Sequence, residues 1–138
     1  MNLLKAFIIA LKAHRGQKDK GGRPYIFHPL YVCVKVKGRE EKIVALLHDV
    51  VEDSGYRIED LDFLSQNQKE ALALLTKDGS LYFDYIEKLK KNSIAVNVKL
   101  KDLEHNMNVS RIDEITEADL TRAAKYKKAY TMLNSLRD

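Results

Sequence analysis

The segment ALLHDVVEDS, residues 45–54, sets His48 and Asp49 side by side, with Glu52 and Asp53 one turn further on, after a nearly unbroken apolar run. Burying one unpaired charge costs several kcal/mol or forces the group to neutralise. On a helix, positions i, i+1, i+4 and i+5 form one stripe, so the four groups share a face. A divalent cation there supplies the missing positive charge and keeps His48 neutral as a nitrogen ligand. The bland alternatives are a buried hydrogen-bonded His48–Asp49 pair and a solvated helix end at Glu52 and Asp53. Carboxylates at a helix C-terminus oppose its dipole, which favours a functional reading of that second pair.

One His and one Asp are too few for a tight site, so the chain must bring others. It has four histidines, His14, His28, His48 and His105. His28 precedes Pro29 at the mouth of a helix, a good place from which to aim a side chain inward. Asp102 falls on the otherwise apolar face of the 94–109 segment, where a carboxylate needs a reason. His14 and His105 read as structural. Two His and two Asp make a mixed nitrogen and oxygen site, suited to Mn²⁺, Fe²⁺ or Zn²⁺ rather than Ca²⁺. Such an ion lowers the pKa of bound water and polarises a phosphoryl group.

The elements that must position these groups read as helices. The 138 residues suit one domain with a real core. Only two prolines and six glycines interrupt them, which favours helices over a many-turned β fold. Leu3, Leu4, Phe7, Ile8 and Leu11 predict a first amphipathic helix, too short to cross a membrane. Residues 15–24 form a polar, glycine-bearing loop. A second helix starts at His28-Pro29, and a third runs unbroken over 40–52 at the centre. Short helices follow over 58–64 and 66–75, then longer ones over 81–90, 94–109 and 117–136. Val96, Val98 and Leu100 alternate like a strand, but the longer pattern through Asp102 fits a helix.

The expectation is therefore all-α: a single compact helical bundle, one domain over 1–138, in the cytoplasm. Cys33, the lone cysteine, excludes an intrachain disulfide and a cysteine zinc site. The net charge of +4 is scattered, so neither a nucleic-acid polymer nor a membrane is expected as a partner, and a homo-oligomer stays open.

The order H…HD…D resembles the signature of the HD superfamily of metal-dependent phosphohydrolases, which are all-α. Five stretches in order, AHRGQ (13–17), PYIFHPL (24–30), ALLHDVVEDS (45–54), LLTK (74–77) and VKLKDLEHNM (98–107), resemble the hydrolase domain of RelA/SpoT-type alarmone enzymes and their small stand-alone relatives. The resemblance runs from about residue 6 to about residue 110 and implies an HD-domain bundle. It implies one Mn²⁺ held by His28, His48, Asp49 and Asp102, and Glu52 with Asp53 assisting the attacking water. It further implies phosphate and base contacts from Arg15, Lys18 and Lys20, and a sugar contact from Asn106. The implied substrate is a small nucleotide, guanosine 3′,5′-bis(diphosphate), which would lose its 3′-pyrophosphate in the stringent response. With no room for a synthetase domain, degradation alone is implied.

The chain departs from the family pattern in the loop, which reads DKGGRPY. Asp19 stands where a base-stacking Arg is usual, and Arg23 stands where Glu is usual. The aspartate motif differs at Leu103 and Glu104. These departures leave open another HD-type nucleotide hydrolase, such as a nucleoside monophosphate phosphatase, and a non-catalytic nucleotide-binding module.

Overall fold

Two segments apolar on nearly every side become the middle of a helical bundle. The structure, a computed structural model, describes residues 2–108 and 114–135. Among these, the helices in order are α1 (Asn2–Ala13), α2 (Phe27–Lys35), α3 (Arg39–Leu47), α4 (Val50–Asp53), α5 (Gln66–Leu75), α6 (Tyr82–Leu89), α7 (Ser93–Met107) and α8 (Glu117–Asn134). The middle pair is α3, which buries Ile43 to Leu47 without a gap, and α7, which buries Ile94, Ala95, Val96, Val98, Leu100 and Leu103. Helices α1 and α2 pack on α3, while α2, α5 and α8 pack on α7. No described residue lies in a sheet strand; one isolated bridge joins Lys18 to Pro24. No described helix is long and apolar enough to cross a membrane.

Capping side chains start the later helices. Ser65 accepts from Gln68 N at 3.1 Å, Asn92 from Ala95 N at 3.1 Å, and Thr116 from Asp119 N at 3.2 Å. Each satisfies a backbone donor that the helix cannot, worth about 1 kcal/mol.

Three sequence expectations are corrected. The third helix is broken: α3 stops at Leu47 and α4 restarts at Val50. The cause is local. The His48 ring donates from Nδ1 to the Ala45 carbonyl at 2.5 Å, taking an acceptor that a continuing helix offers to Asp49 N–H. Asp49 then sits at φ −102°, ψ −6°, in the sparsely allowed region where many active-site residues lie.

The first helix buries a different face from the expected one. Ala6 and Ala10 are fully buried with Leu3 and Phe7 beside them, whereas Leu4, Ile8 and Leu11 are exposed. Small residues let α1 approach α3 closely, and closeness outweighs side-chain bulk. Third, the helix expected over 58–64 is only a 3₁₀ turn at Ile58–Asp60, after which Leu61 and Leu64 tuck into the core. The expected ends at Val109 and Leu136 lie outside the described residues.

The loop between α1 and α2 is pinned rather than slack. Asp19 N donates to Arg23 O at 2.8 Å, and Tyr25 N donates to Gln17 O at 2.9 Å. The Asp19 carboxylate accepts from Gly21 N at 2.9 Å and Arg23 N at 3.0 Å. Gly16 and Gly22 have φ of 80° and 82°, a region that other residues rarely enter.

Candidate active site

The break after Leu47 turns His48 and Asp49 toward α2 and α7. His28, in the first turn of α2, and Asp102, on α7, meet them there. His28 Nε2 lies 2.7 Å from Asp102 Oδ1 and 3.7 Å from Asp49 Oδ2. His48 Nε2 lies 3.1 Å from Asp49 Oδ2 and 3.4 Å from Asp102 Oδ1. His28, His48 and Asp49 each offer a ligand atom within 4.8 Å of the others, and Asp102 Oδ1 stands against the two histidine nitrogens. Neighbouring ligands of one ion with bonds of about 2.1 Å stand about 3 Å apart, so the spacing and the donor set both fit a divalent metal.

A further layer holds each of the four. The Nδ1 proton of His48 is spent on Ala45 O, so Nε2 is the nitrogen that faces Asp49 and Asp102 and becomes a lone pair once the ring is neutral. His28 Nδ1 lies 2.7 Å from His105 Nδ1, and the His105 ring stacks between Tyr31 and His28. His105 therefore aims His28. Asp102 receives Lys99 Nζ on Oδ2 at 2.8 Å and Asn106 Nδ2 on Oδ1 at 3.1 Å. The Tyr25 hydroxyl donates to Asp49 Oδ2 at 2.6 Å.

The electrostatics follow from these contacts. Burial works against the charge on Asp102, yet Lys99 and the two histidines outweigh it and hold the carboxyl well below its usual range. Burial likewise opposes the charge on Asp49, and His48 outweighs it. For His48, burial opposes protonation but Asp49 and Asp102 raise the pKa well above the ordinary histidine value. Burial, then Asp49, pushes Tyr25 up, so it remains an O–H donor.

The four side chains line a cavity of about 350 Å³. Glu52 and Asp53 line it from α4. Glu52 Oε1 accepts from Lys77 N at 2.6 Å, which fixes its carboxylate. Partial burial, with Asp49 and Glu52 nearby, raises the Asp53 pKa. Lys18, Lys20 and Asn106 line the cavity as well. Arg15 is exposed and is not among its lining residues.

Sequence reasoning missed several cavity-lining residues: Lys77, Lys99, Tyr82, Arg122 and Tyr126. Lys125 stands over the Tyr82 ring at 4.5 Å, and its pKa is lowered by burial and by Lys77, Arg122 and Lys99. Asp119 pairs with Arg122 and, at 3.5 Å, with Lys20, tying the α1–α2 loop to α8. The available signal was the spacing of Asp119, Arg122 and Tyr126 at i, i+3 and i+7, one face of a helix.

Comparison with known proteins adds a second line. The chain is 34% identical, over an alignment of 126 positions that covers 78% of its length, to a GTP pyrophosphokinase of Streptomyces coelicolor. It is 32% identical, over an alignment of 122 positions that covers 76% of its length, to the bifunctional (p)ppGpp synthase/hydrolase SpoT of Escherichia coli K12. The chain is an HD-type, RelA/SpoT hydrolase-like domain. This domain spans only 14% and 17% of those two relatives. A solved metazoan orthologue of SpoT, described as hydrolysing ppGpp, shares the domain's fold. Its TM-score is 0.77 at 24% identity, covering 96% of this chain and 84% of that one. No family model matches the chain.

Proposed function

We propose that this domain is a metal-dependent phosphohydrolase that removes the 3′-pyrophosphate of guanosine 3′,5′-bis(diphosphate), with water as co-substrate and GDP and pyrophosphate as products. The observation that carries the reading is the His28, His48 and Asp49 cluster, with Asp102 against it, in a cavity that Lys18, Lys20, Lys77, Lys99 and Arg122 also line. His28, His48, Asp49 and Asp102 would hold one divalent ion, with Mn²⁺ the proposed metal and the cytoplasm the proposed place of action. When bound, that ion supplies a Lewis acid for a phosphoryl oxygen and for water.

The chain's own groups do the rest. Glu52, held by Lys77 N, orients the attacking water and takes its proton, with Asp53 beside it. Lys18, Lys20 and Arg122 neutralise phosphate charge across the cavity. Asn106 gives its amide N–H to Asp102 and keeps its carbonyl for a sugar hydroxyl. Most of the acceleration would come from positioning and charge stabilisation in a shielded site.

One observation favours a second reading, a phosphohydrolase acting on another nucleotide. Asp19 spends a carboxylate oxygen on its own loop, where a cation would stack on a guanine. A panel of guanosine and adenosine polyphosphates and nucleoside monophosphates, assayed with Mn²⁺ and read by product identity, tests both. Release of pyrophosphate and GDP is the expected result. Phosphate released from monophosphates alone would replace the first reading with the second.

A further inference from the structure

Gln17, in the AHRGQ stretch, joins three parts of the site. Its Nε2 donates to the Asp53 carbonyl at 3.2 Å and to the Ala13 carbonyl at 3.3 Å. Its Oε1 stands 2.8 Å from Nδ1 of His14. Its own carbonyl accepts from Tyr25 N at 2.9 Å, and the Tyr25 hydroxyl is on Asp49. Neither Gln17 nor His14 lines the cavity.

The side-chain orientations follow from this pattern. Two carbonyls must face the amide NH₂, so Oε1 faces His14, and His14 Nδ1 must carry the proton. In the neutral ring His14 Nε2 is then a lone pair. It is buried and has no hydrogen-bond partner among the described residues. An unpaired buried acceptor costs about 1–3 kcal/mol, which an apolar side chain in that place would avoid. A retained cost of this kind asks for an explanation.

Helix α4 provides one. It has four residues, a single turn, too short to hold itself by internal hydrogen bonds. Its last carbonyls need outside donors. Ser54 Oγ takes the Val50 carbonyl at 2.6 Å, and Gln17 takes that of Asp53. The turn so anchored carries Glu52 and Asp53.

We propose that Gln17, braced by His14, is a positioning residue that holds the Glu52–Asp53 turn against the cavity. This rests on the hydrolase reading only in assigning that turn its work; the anchoring itself is independent of the substrate. A Gln17→Glu change keeps an acceptor for His14 but removes the donor to Asp53. Gln17→Leu removes both.

Two measurements test it. In the metal-free protein, amide exchange at Glu52 and Asp53 should speed by about tenfold in Gln17→Glu, with α3 and α7 amides unchanged. With Mn²⁺ and ppGpp, kcat should fall by about tenfold or more while KM and Mn²⁺ affinity stay within about twofold, because a misplaced base slows chemistry without loosening binding. Unchanged exchange at the turn would overturn the proposal, as would a normal kcat despite faster exchange. Should the parent protein leave ppGpp intact, the hydrolase reading fails alone. The exchange comparison then decides the anchoring, with kcat read on whichever nucleotide the panel shows to be cleaved. If Gln17→Leu does not fold, Gln17→Glu still gives both readouts.

Discussion

Lys99 Nζ lies 2.8 Å from Asp102 Oδ2, and both side chains are buried on one face of α7. Burial opposes the Lys99 charge, but Asp102 holds the ammonium well above its usual pKa. The pair leaves Asp102 Oδ1 for the His28 and His48 side. Lys99→Met keeps the length of the side chain and strands a buried carboxylate. We expect a loss of about 3 kcal/mol of unfolding free energy without metal, and a smaller loss in Mn²⁺, measured by urea denaturation. Equal stability of the two proteins without metal would refute the pairing.

The pKa directions set a pH dependence. Asp49 and Asp102 are held low, so their stabilisation is present above the unfolded carboxylate pKa of about 4 and is lost as pH falls below it. His48 is held high, so its stabilisation is present below about pH 6.5 and is lost as pH rises through the higher folded value. Metal needs His48 neutral and must displace its proton. Mn²⁺ affinity should therefore climb with pH past the ordinary histidine range, with proton release on binding. Titration calorimetry in buffers of different ionisation enthalpy measures both, and a pH-independent affinity would remove His48 from the ligand set.

Glu52→Gln separates binding from chemistry. The amide carbonyl still accepts from Lys77 N, so the turn keeps its shape while the proton acceptor is lost. We expect kcat to drop by about 10²- to 10⁴-fold with Mn²⁺ still bound. His48→Ala and Asp102→Ala should instead lose ion and turnover together. Near-normal turnover in Glu52→Gln would assign the water to another group.

Arg122 lines the cavity and is oriented by Asp119. Arg122→Ala should raise KM for a nucleotide polyphosphate by about tenfold, as a charge-assisted phosphate contact is worth, and leave Mn²⁺ affinity unchanged. The effect should shrink for substrates with fewer phosphates. An equal KM increase for a nucleoside monophosphate would show that Arg122 does not reach the far phosphates.

Asp19 holds its loop by accepting two backbone N–H groups. Asp19→Asn keeps an acceptor there and removes a negative charge from the cavity wall. KM for the polyphosphate should fall by about two- to fivefold with the loop intact. Asp19→Arg adds a stacking cation at the expense of the turn, and the ratio of kcat/KM for guanosine and adenosine substrates then reports whether this loop reads the base.

Local patterning was enough for most helices. The 66–75 segment reads as a helix from its own apolar spacing, and α5 has those bounds because Ser65 and Gln68 start it by a local capping box. Charges on apolar faces were likewise legible one residue at a time. Asp102 stood out because its neighbours are buried, and the HD pair stood out for the same reason. Periodicity and polarity are properties of the chain itself, and they single out groups that need partners.

Which partners they find is a matter of packing. The break at His48 depends on a ring bond to Ala45 O, and a helical pattern has no signal for it. Ala6 and Ala10, not Leu4 and Ile8, became the buried face of α1, because close approach to α3 is decided by the neighbour's surface. Arg122 and Tyr126 look in the sequence like the solvated side of a last helix. Only the docking of α8 on α7 brings them to the cavity that His28, His48 and Asp49 also line, about 75–100 residues away along the chain. Hydrogen bonds and charges act over a few ångströms, so a group's role is set by the tertiary neighbours that come within that range.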